Sequence, residues 1–415
     1  MSDLQRENEK LRRILRVSLN LADTPDLDAL LHLIVEAACD ALDCDRASIF
    51  LYEAATDELV SRVSKGARSL RFPATRGIAG AAAKGRQYIN VADAYADERF
   101  NPEIDRKTGY RTRNLLTFPL ENSQGELIGV LQALNKRDGA FTAGDEALAR
   151  VLSAQAGVAL HRGRLLEEYA LKQRMARDLD LAREIQQGLF PKVSPHVPGY
   201  EIHGWNRPAD ETGGDFFDYL TLRDGRVAVV LADATGHGIG AALVMAQARS
   251  LLRAMFSVSA DLRQIAASVN ALLANDLRDD RFLTAFVGLL DPRQHRMEYI
   301  SGGQGPLLIV SESGVESRPA NALPFAIDSE LELLSEECIE FSPGSLLVLL
   351  TDGFFEAGDA RDEQFGEERI QEICRAQRAA SLPELIGSLT GAVQVYSQGL
   401  PQADDWTALL VRRVE

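Results

Sequence analysis

The feature that most constrains the fold is a long stretch without proline in the middle of the chain. Residues 145–189 are dense in Ala, Leu, Glu, Arg and Gln, which all favour helix, and Pro191 and Pro195 follow shortly after. Because proline disrupts a helix interior, we predict one long helix, or two abutting helices, ending before Pro191. A chain of 415 residues exceeds the size at which one hydrophobic core stops growing, so the helix is expected to join two domains. The predicted division is an N-terminal helix, a first domain, a helical connector and a second domain, at residues 1–20, 21–163, 164–189 and 190–415.

Two segments show the apolar spacing of a helix that pairs with another helix. Leu4, Leu11 and Leu15 follow heptad spacing in the first segment. In the connector, a second set of residues is spaced alternately by four and three positions, namely Met175, Leu179, Ala182, Gln186 and Leu189. Such spacing is typical of coiled coils, so we predict a coiled-coil connector and a homodimer. For residues 1–20 a single frayed helix is an equal alternative, because two heptads are too few to establish pairing.

Charge and composition disfavour several classes of protein. Asp and Glu outnumber Lys and Arg by 61 to 45, which gives a net charge of −16 and argues against nucleic acid as a partner, since phosphate backbones attract basic proteins. No apolar run reaches the roughly 18 residues of a membrane span, and the first residues lack a signal-peptide pattern. We therefore expect a cytoplasmic protein without a membrane segment. The four cysteines form no CxxC pair, which disfavours structural zinc and a disulfide framework.

Strand patterns lie on both sides of the predicted helix. In residues 21–163, helical spacing gives way to alternation in ASIFLYE and ELVSRVS, the pattern of an antiparallel hairpin, and NLLTFPLE and ELIGVLQALN predict further strands. After Pro198 the chain is rich in strands, with helical runs at AALVMAQARSLLRAMF and LRQIAASVNALLANDL. The fold class is therefore predicted to be α+β.

Acidic side chains stand repeatedly where a predicted strand ends. They are Asp215 in GGDFFDY, Asp233 in VVLADATGHG, Asp352 in LVLLTDGFFE, and Asp404 and Asp405 in ADDWTALLV. Each alone is typical of a turn or a helix cap, but several that converge would repel one another unless a cation lay between them. Carboxylates without a Cys/His cluster favour Mg²⁺ or Mn²⁺ over zinc. We therefore predict a metal centre built from these carboxylates.

A series of motifs in the second half closely resembles the SpoIIE-type branch of the metal-dependent protein serine/threonine phosphatases. After the entry AREIQQGLFP they are GGDFFD, ADATGHGIGAALVMA, VNALLANDL with FLTAFVGLLD, SGGQGP, TDGFFEA and DDWTALLV, over about residues 182–415. The resemblance implies an αββα sandwich of two antiparallel sheets that holds two metal ions at its edge. It implies that the catalytic metal ligands are Asp215, Asp233, Asp352, Asp404 and the backbone carbonyl of Ala234. It also implies that Asp405 supports these ligands without binding metal itself.

Two details of this half stay open at the level of the sequence. The family usually carries Asn-Ala-Gly-His-Asn-Pro where this chain has Ser-Gly-Gly-Gln-Gly-Pro at residues 301–306, so no histidine or asparagine role is assigned in that loop. His237 could serve as a general acid or could anchor its turn, and the second interpretation is favoured.

Motifs in the first half resemble the GAF domains that bind cyclic nucleotides in phosphodiesterases and bacterial adenylyl cyclases. RGIAGAAAKG is followed by Asn135-Lys136 with Phe141, Asp145 and Glu146, and the resemblance covers about residues 25–163. It implies cAMP or cGMP as ligand, with Asn135, Lys136 and Asp145 bracing the fold. It implies that the residues that contact the ligand are Ser48, Ile78, Ala79, Asp105, Thr108, Thr112 and Gln132. Among them, Ile78 and Ala79 would act through their backbone, and Gln132 would line the base pocket. A GAF module that only dimerises is the alternative.

The expected protein is a signalling phosphatase in which a ligand in the GAF domain acts through the connector on a Mn²⁺- or Mg²⁺-dependent active site. By the resemblance, its substrate is a phosphoserine or phosphothreonine on an anti-sigma-factor antagonist. The alternative is a regulatory protein with the phosphatase fold that has lost catalysis and acts by contact alone.

Overall fold

The computed structural model describes residues 21, 23–24, 26–61, 70–277, 281–328 and 337–414. The predicted N-terminal helix at residues 1–20 lies outside the described residues. The chain forms two compact units whose boundary falls between Arg174 and Met175. The boundaries proposed above at residues 163 and 189 remain predictions.

The first unit is built on one antiparallel sheet, whose strand order among the described residues is β3-β2-β1-β6-β5-β4. Asp26 caps the first helix by accepting a hydrogen bond from the Ala29 N–H at 2.7 Å, and Asp43, in the left-handed conformation, ends it. The predicted hairpin and the two later strands are confirmed. In chain order the elements are α1 Leu27–Leu42, β1 Cys44–Glu53, β2 Glu58–Val60, β3 Arg71–Pro73, α2 Gly77–Gly85, β4 Ile89–Val91, α3 Glu103–Thr108, β5 Leu115–Glu121 and β6 Leu127–Lys136.

The two faces of this sheet pack against different partners. One face, which includes Ile49 and Leu131, packs with α1 and with the start of the long helix in a single core. The other face carries Phe50 and Val130 and packs against Ala79 of α2. Adjacent residues along β1 and β6 therefore lie on opposite faces of the sheet, as the two-residue period of a strand requires.

The predicted long helix is a single helix, α4, over Ala143–Leu189. It begins at a capping arrangement in which the Thr142 backbone N–H donates to Asp145 at 2.8 Å and the Asp145 N–H donates to the Thr142 hydroxyl, a reciprocal pairing that stabilises helix starts. Along the predicted seam Met175 is exposed, but Gln186 is buried within the second unit. The coiled coil therefore stays a prediction for the residues that precede Gln186.

The second unit is an αββα sandwich, as predicted. Among the described residues, the first sandwich sheet has the order β14-β11-β10-β9-β8 and the second sandwich sheet has the order β13-β12-β15-β16-β7. In chain order the elements are β7 Tyr200–Arg207, β8 Phe216–Thr221, β9 Val227–Ala234, α5 Ile239–Val258, α6 Leu262–Asp276, β10 Leu283–Asp291, β11 Arg296–Gly302, β12 Leu307–Ser311, β13 Gly314–Arg318, β14 Glu337–Glu340, β15 Leu346–Leu350, α7 Asp352–Phe355, α8 Glu367–Ala376, α9 Leu382–Tyr396 and β16 Trp406–Arg413.

Alternation along the strands builds three layers of core. In β9, Val229 and its inward neighbours pack against the second sandwich sheet, whereas Val230 packs outward against α5 and α6. A third cluster joins the second sandwich sheet to α8 and α9. Helix α5 is the one helix in the described part of the chain that is long and apolar enough to cross a membrane, and here one face of it packs onto the first sandwich sheet.

Candidate functional site

Four predicted metal ligands come from both sandwich sheets and form the aspartate cluster, defined here as Asp215, Asp233, Asp352 and Asp404. Asp215 directly precedes β8 and Asp233 is the penultimate residue of β9, so both belong to the first sandwich sheet. Asp352 begins α7 just after β15, and Asp404 lies two residues before β16, so both belong to the second. The fold therefore brings carboxylates that are up to 189 positions apart in sequence to one end of the sandwich.

Asp215 is the most deeply buried member of the cluster. Its side chain is held by the second sandwich sheet, because its Oδ2 accepts hydrogen bonds from the hydroxyls of Thr351 at 2.7 Å and Thr407 at 2.6 Å. Burial, followed by the nearby carboxylates of Asp233 and Asp405, raises its pKa well above the ordinary value. Neither threonine is among the residues predicted from the sequence, although a hydroxyl residue in each acidic motif, in LLTDG and DDWT, was a visible signal.

Asp233 is electrostatically linked to the rest of the cluster. Burial, followed by the carboxylates of Asp352 and Asp404, raises its pKa to about 7, while a hydrogen bond with Asp215 opposes the rise. Carboxylates that disfavour one another's ionisation in this way form a site where a cation would be stabilised.

Two glycines allow the backbone to approach the cluster closely. A Cβ at Gly214 would lie 2.5 Å from the Ala234 carbonyl oxygen, and a Cβ at Gly213 would overlap Oδ2 of Asp405. Asp405 also accepts hydrogen bonds from the backbone N–H groups of Ala209 at 2.7 Å and Asp215 at 3.3 Å. It therefore braces the loop that carries Asp215. A supporting role of this kind is what the family resemblance implies for Asp405.

The remaining two aspartates lie at the rim of the cluster. The side chains of Asp352 and Asp404 are exposed, and Asp404 accepts a hydrogen bond from the Asp405 N–H at 2.8 Å. Among the described residues, no three His, Cys, Asp or Glu side chains converge at the spacing of a formed metal centre.

The cluster predicts a specific pH dependence for the protein in the presence of a chelator. Because the folded-state pKa of Asp233 is raised above its unfolded value, the folded state binds this proton more tightly than the unfolded state does. The stability that this proton contributes is present at low pH and is lost as pH rises from about 4 to about 7. We expect the unfolding midpoint to fall between pH 5 and pH 8, and to fall less in Asp233→Asn. Thermal unfolding followed by circular dichroism checks this, and equal slopes in parent and variant would contradict it.

The end of helix α4 contacts the loop that leads to the cluster. The Gln186 side-chain amide donates to the Gly213 carbonyl at 2.6 Å and accepts from the Gly213 N–H at 3.1 Å. Gln186 is only 7% exposed, so both of these bonds are shielded from water. The sequence placed Gln186 in a coiled-coil seam, and the structure instead shows it fixing the backbone two residues before Asp215.

His237 is exposed in the loop after β9. Its Nδ1 lies 3.2 Å from Oδ2 of Asp210, on the protein surface. This contact supports the favoured interpretation, in which His237 anchors its turn.

In the first unit, the predicted base-pocket residue lies in a polar row across the sheet. Gln132 pairs in register with Ser48 on one side and with Thr117 on the other, and its amide donates to the Thr117 hydroxyl at 3.1 Å. Residues at alternating positions from Gln132, such as Val130 and Leu134, contact the two apolar clusters on the α2 face. The row therefore provides hydrogen-bonding groups on an otherwise apolar face.

The backbone groups predicted to meet the ligand lie at the start of α2. Ile78 and Ala79 are buried in the first turn, and the preceding Arg76 makes no side-chain cap. Gly77 has a φ of 70°, a conformation that favours glycine.

Asp105 and Thr112, two of the predicted ligand residues, are hydrogen-bonded to each other. Asp105 accepts hydrogen bonds from the Thr112 N–H at 2.7 Å, the Thr112 hydroxyl at 2.9 Å and the Tyr95 hydroxyl at 3.1 Å. These bonds use both oxygens of a buried carboxylate and fix the loop after α3. Thr108 ends α3, and its side chain lies outside the described residues.

Asn135, Lys136 and Asp145 brace the fold. The Asn135 side chain accepts from the Arg113 N–H at 2.6 Å and donates to the Arg111 carbonyl at 2.9 Å. Lys136 donates to Asp145 at 2.9 Å, which ties β6 to the start of α4.

Comparison with known proteins assigns both units. Residues 223–414 match the family described as Stage II sporulation protein E (SpoIIE), and residues 26–160 match the GAF domain. The chain thus contains a GAF domain and a SpoIIE-type PP2C phosphatase domain. The solved SiaA-PP2C domain of Pseudomonas aeruginosa has the same fold, with a TM-score of 0.52 at 23% identity over 59% of this chain and 98% of that one.

Two curated relatives have similar sequences. The probable 3',5'-cyclic phosphodiesterase pde-5 of Caenorhabditis elegans is 32% identical over 185 residues, which cover 40% of this chain and 25% of that protein. Protein IcfG of Synechocystis sp. is 28% identical over 270 residues, which cover 57% of this chain and 41% of that protein. The chain spans less than half the length of either relative.

Proposed function

We propose that this chain is a cytoplasmic signalling phosphatase that hydrolyses phosphoserine or phosphothreonine on a protein substrate of the anti-sigma-factor antagonist type. In this proposal cAMP or cGMP binds the GAF domain, and the active protein is a homodimer. The observation that carries the proposal is the aspartate cluster, in which burial and the carboxylates of Asp352 and Asp404 on the second sandwich sheet raise the pKa of Asp233 on the first.

The donor set of the cluster fits two Mn²⁺ or Mg²⁺ ions. Asp215, Asp233, Asp352, Asp404 and the Ala234 carbonyl would hold them, all through oxygen, which these hard cations prefer. Such a pair of ions lowers the pKa of a bound water and neutralises phosphate oxygens. Asp405 keeps the Asp215 loop in place, and the threonine hydroxyls keep the Asp215 carboxylate oriented.

Phosphate release from a phosphoserine-containing protein, measured with Mn²⁺, with Mg²⁺ and with chelator, tests the catalytic part. Hydrolysis only with a divalent ion is the expected result. If neither ion supports hydrolysis, the alternative of a silent protein that acts by contact would replace the proposal.

The proposed nucleotide site consists of the polar row Ser48 and Gln132 together with the backbone at Ile78 and Ala79. Amide and hydroxyl groups on an apolar face suit a flat heterocycle that needs a few oriented hydrogen bonds. Asp105 and Thr112 would shape the neighbouring loop through their mutual bonds. The pde-5 relative, by its name, acts on cyclic nucleotides, which supports this ligand class.

A ligand that binds only the folded state should stabilise the protein. At a nucleotide concentration 100 times the dissociation constant the gain is about 2.7 kcal/mol, so we expect cAMP or cGMP to raise the melting temperature of the GAF transition in the full chain. The variant Gln132→Leu should lose this shift, and Gln87→Leu, which changes an exposed glutamine, should keep it. If neither nucleotide shifts the melting temperature at millimolar concentration, the GAF module would serve dimerisation only.

A further inference from the structure

We propose that Gln304 is a positioning residue that ties the two sandwich sheets together beside the aspartate cluster and thereby sets the affinity for the divalent ions. This inference rests on the proposed function. The residue belongs to the loop at residues 301–306, where the sequence departs from the usual family pattern and suggested no role.

The side chain of Gln304 bridges the two sheets directly. Its amide oxygen accepts from the Thr284 hydroxyl at 3.3 Å, on β10 of the first sandwich sheet, and its amide nitrogen donates to the Leu350 carbonyl at 2.8 Å, on β15 of the second. Gln304 is only 4% exposed. A buried amide is costly unless it is hydrogen-bonded, so this geometry is strongly preferred over one in which the sheets separate.

Both attachment points adjoin a member of the cluster. Thr284 is the cross-strand partner of Asp233, and Leu350 lies two residues before Asp352. Gln304 therefore links β10, which pairs with the strand that carries Asp233, to the strand end that precedes Asp352. Because these two carboxylates come from different sheets, the spacing between the sheets sets how far apart they are held.

The loop holds Gln304 in place through its own bonds. The Ser301 hydroxyl donates to the Gln304 carbonyl, and the Ser301 N–H donates to Oδ1 of Asn321 at 2.7 Å. The Gly303 N–H donates to the Ala322 carbonyl at 2.9 Å. The Gln304 backbone is thus fixed before its side chain reaches either sheet, which is what a positioning residue requires.

The test replaces Gln304 with methionine, which keeps the length of the side chain and removes both hydrogen bonds. Residues that support metal ligands typically contribute 10- to 100-fold to metal affinity, so Gln304→Met should raise the Mn²⁺ dissociation constant by about 10- to 100-fold in calorimetry. The Mn²⁺ concentration for half-maximal hydrolysis should rise in parallel, and kcat at saturating Mn²⁺ should stay close to that of the parent. Gln247→Met, which removes a glutamine bond to Asp276 between α5 and α6, is the matched control and should bind Mn²⁺ as the parent does.

A second pair of variants covers the case in which Gln304→Met does not fold. Thr284→Val removes only the hydroxyl partner and should weaken Mn²⁺ binding, whereas Thr284→Ser keeps the hydroxyl and should restore it. A loss of melting temperature that is equal with Mn²⁺ and with chelator, together with an unchanged dissociation constant, would show a purely structural role and overturn the inference. A parent protein that binds no Mn²⁺ would overturn the proposed function as well, so the two failures are distinguishable.

Discussion

The variant Asp233→Asn is expected to lose more than about 100-fold of the metal-dependent hydrolysis of para-nitrophenyl phosphate. Loss of a residue that merely supports a ligand typically costs 10- to 100-fold, and Asp233 is proposed to be a ligand itself. The substitution removes a negative charge that balances the cations while keeping the shape of the side chain, so the fold should be retained. Initial rates at saturating Mn²⁺, together with circular dichroism, measure both effects.

Asp352→Asn should give the same loss, because Asp352 belongs to the opposite sheet and is proposed to serve the same ions. The matched control is Asp210→Asn. Asp210 is an exposed aspartate that contacts His237 and lies outside the cluster. Its activity should equal that of the parent. Full activity in both Asp233→Asn and Asp352→Asn would refute the metal assignment.

Deleting Asp178 to Leu181 from helix α4 should abolish or invert the response of hydrolysis to the GAF ligand. At 3.6 residues per turn, four residues correspond to a net rotation of about 40° and a shortening of about 6 Å. Nucleotide binding and basal turnover should persist, because the deletion leaves Gln186 and the GAF residues in place. Rates with and without saturating nucleotide, in parent and variant, give the result.

A deletion of seven residues, Met175 to Leu181, is the matched control for helix phase. It shortens the helix further, by about 10 Å, but changes its phase by only about 20°. If register carries the signal, the seven-residue deletion should retain more of the response than the four-residue deletion. Responses that decrease simply with the number of residues removed would indicate dependence on length, and a four-residue deletion that responds like the parent would exclude any role for register.

The sequence was informative where a local pattern implies a local structure. The proline-free stretch predicted α4, and strand alternation predicted the sheets, because both depend on residues close in the chain. The aspartates were found because each follows or precedes an apolar strand in a recognisable motif. The family resemblance implied a two-sheet sandwich with a metal centre at its edge, and the strand order of the structure brings the aspartates to one end of it.

The sequence was less informative where function depends on one side chain that reaches across the fold. Thr407 bonds to Asp215 across 192 positions, and Gln304 bonds to Leu350 across 46. Nothing in the spacing of such residues shows the contact. Asp105 and Thr112 also bond to each other, as a buried carboxylate requires, and the sequence did not indicate this contact.

The bond between Gln186 and Gly213 has a consequence for engineering chimeric proteins. A foreign sensor fused at residue 190 would remove Gln186 and leave the N–H and carbonyl groups of Gly213 unpaired, just before the loop that carries Asp215. A fusion made upstream of Met175, in phase with α4, would keep this contact. The transferable catalytic module therefore includes the last four turns of the helix that precedes it, and a graft should be designed around the rotational phase of that helix rather than around the first strand of the sandwich.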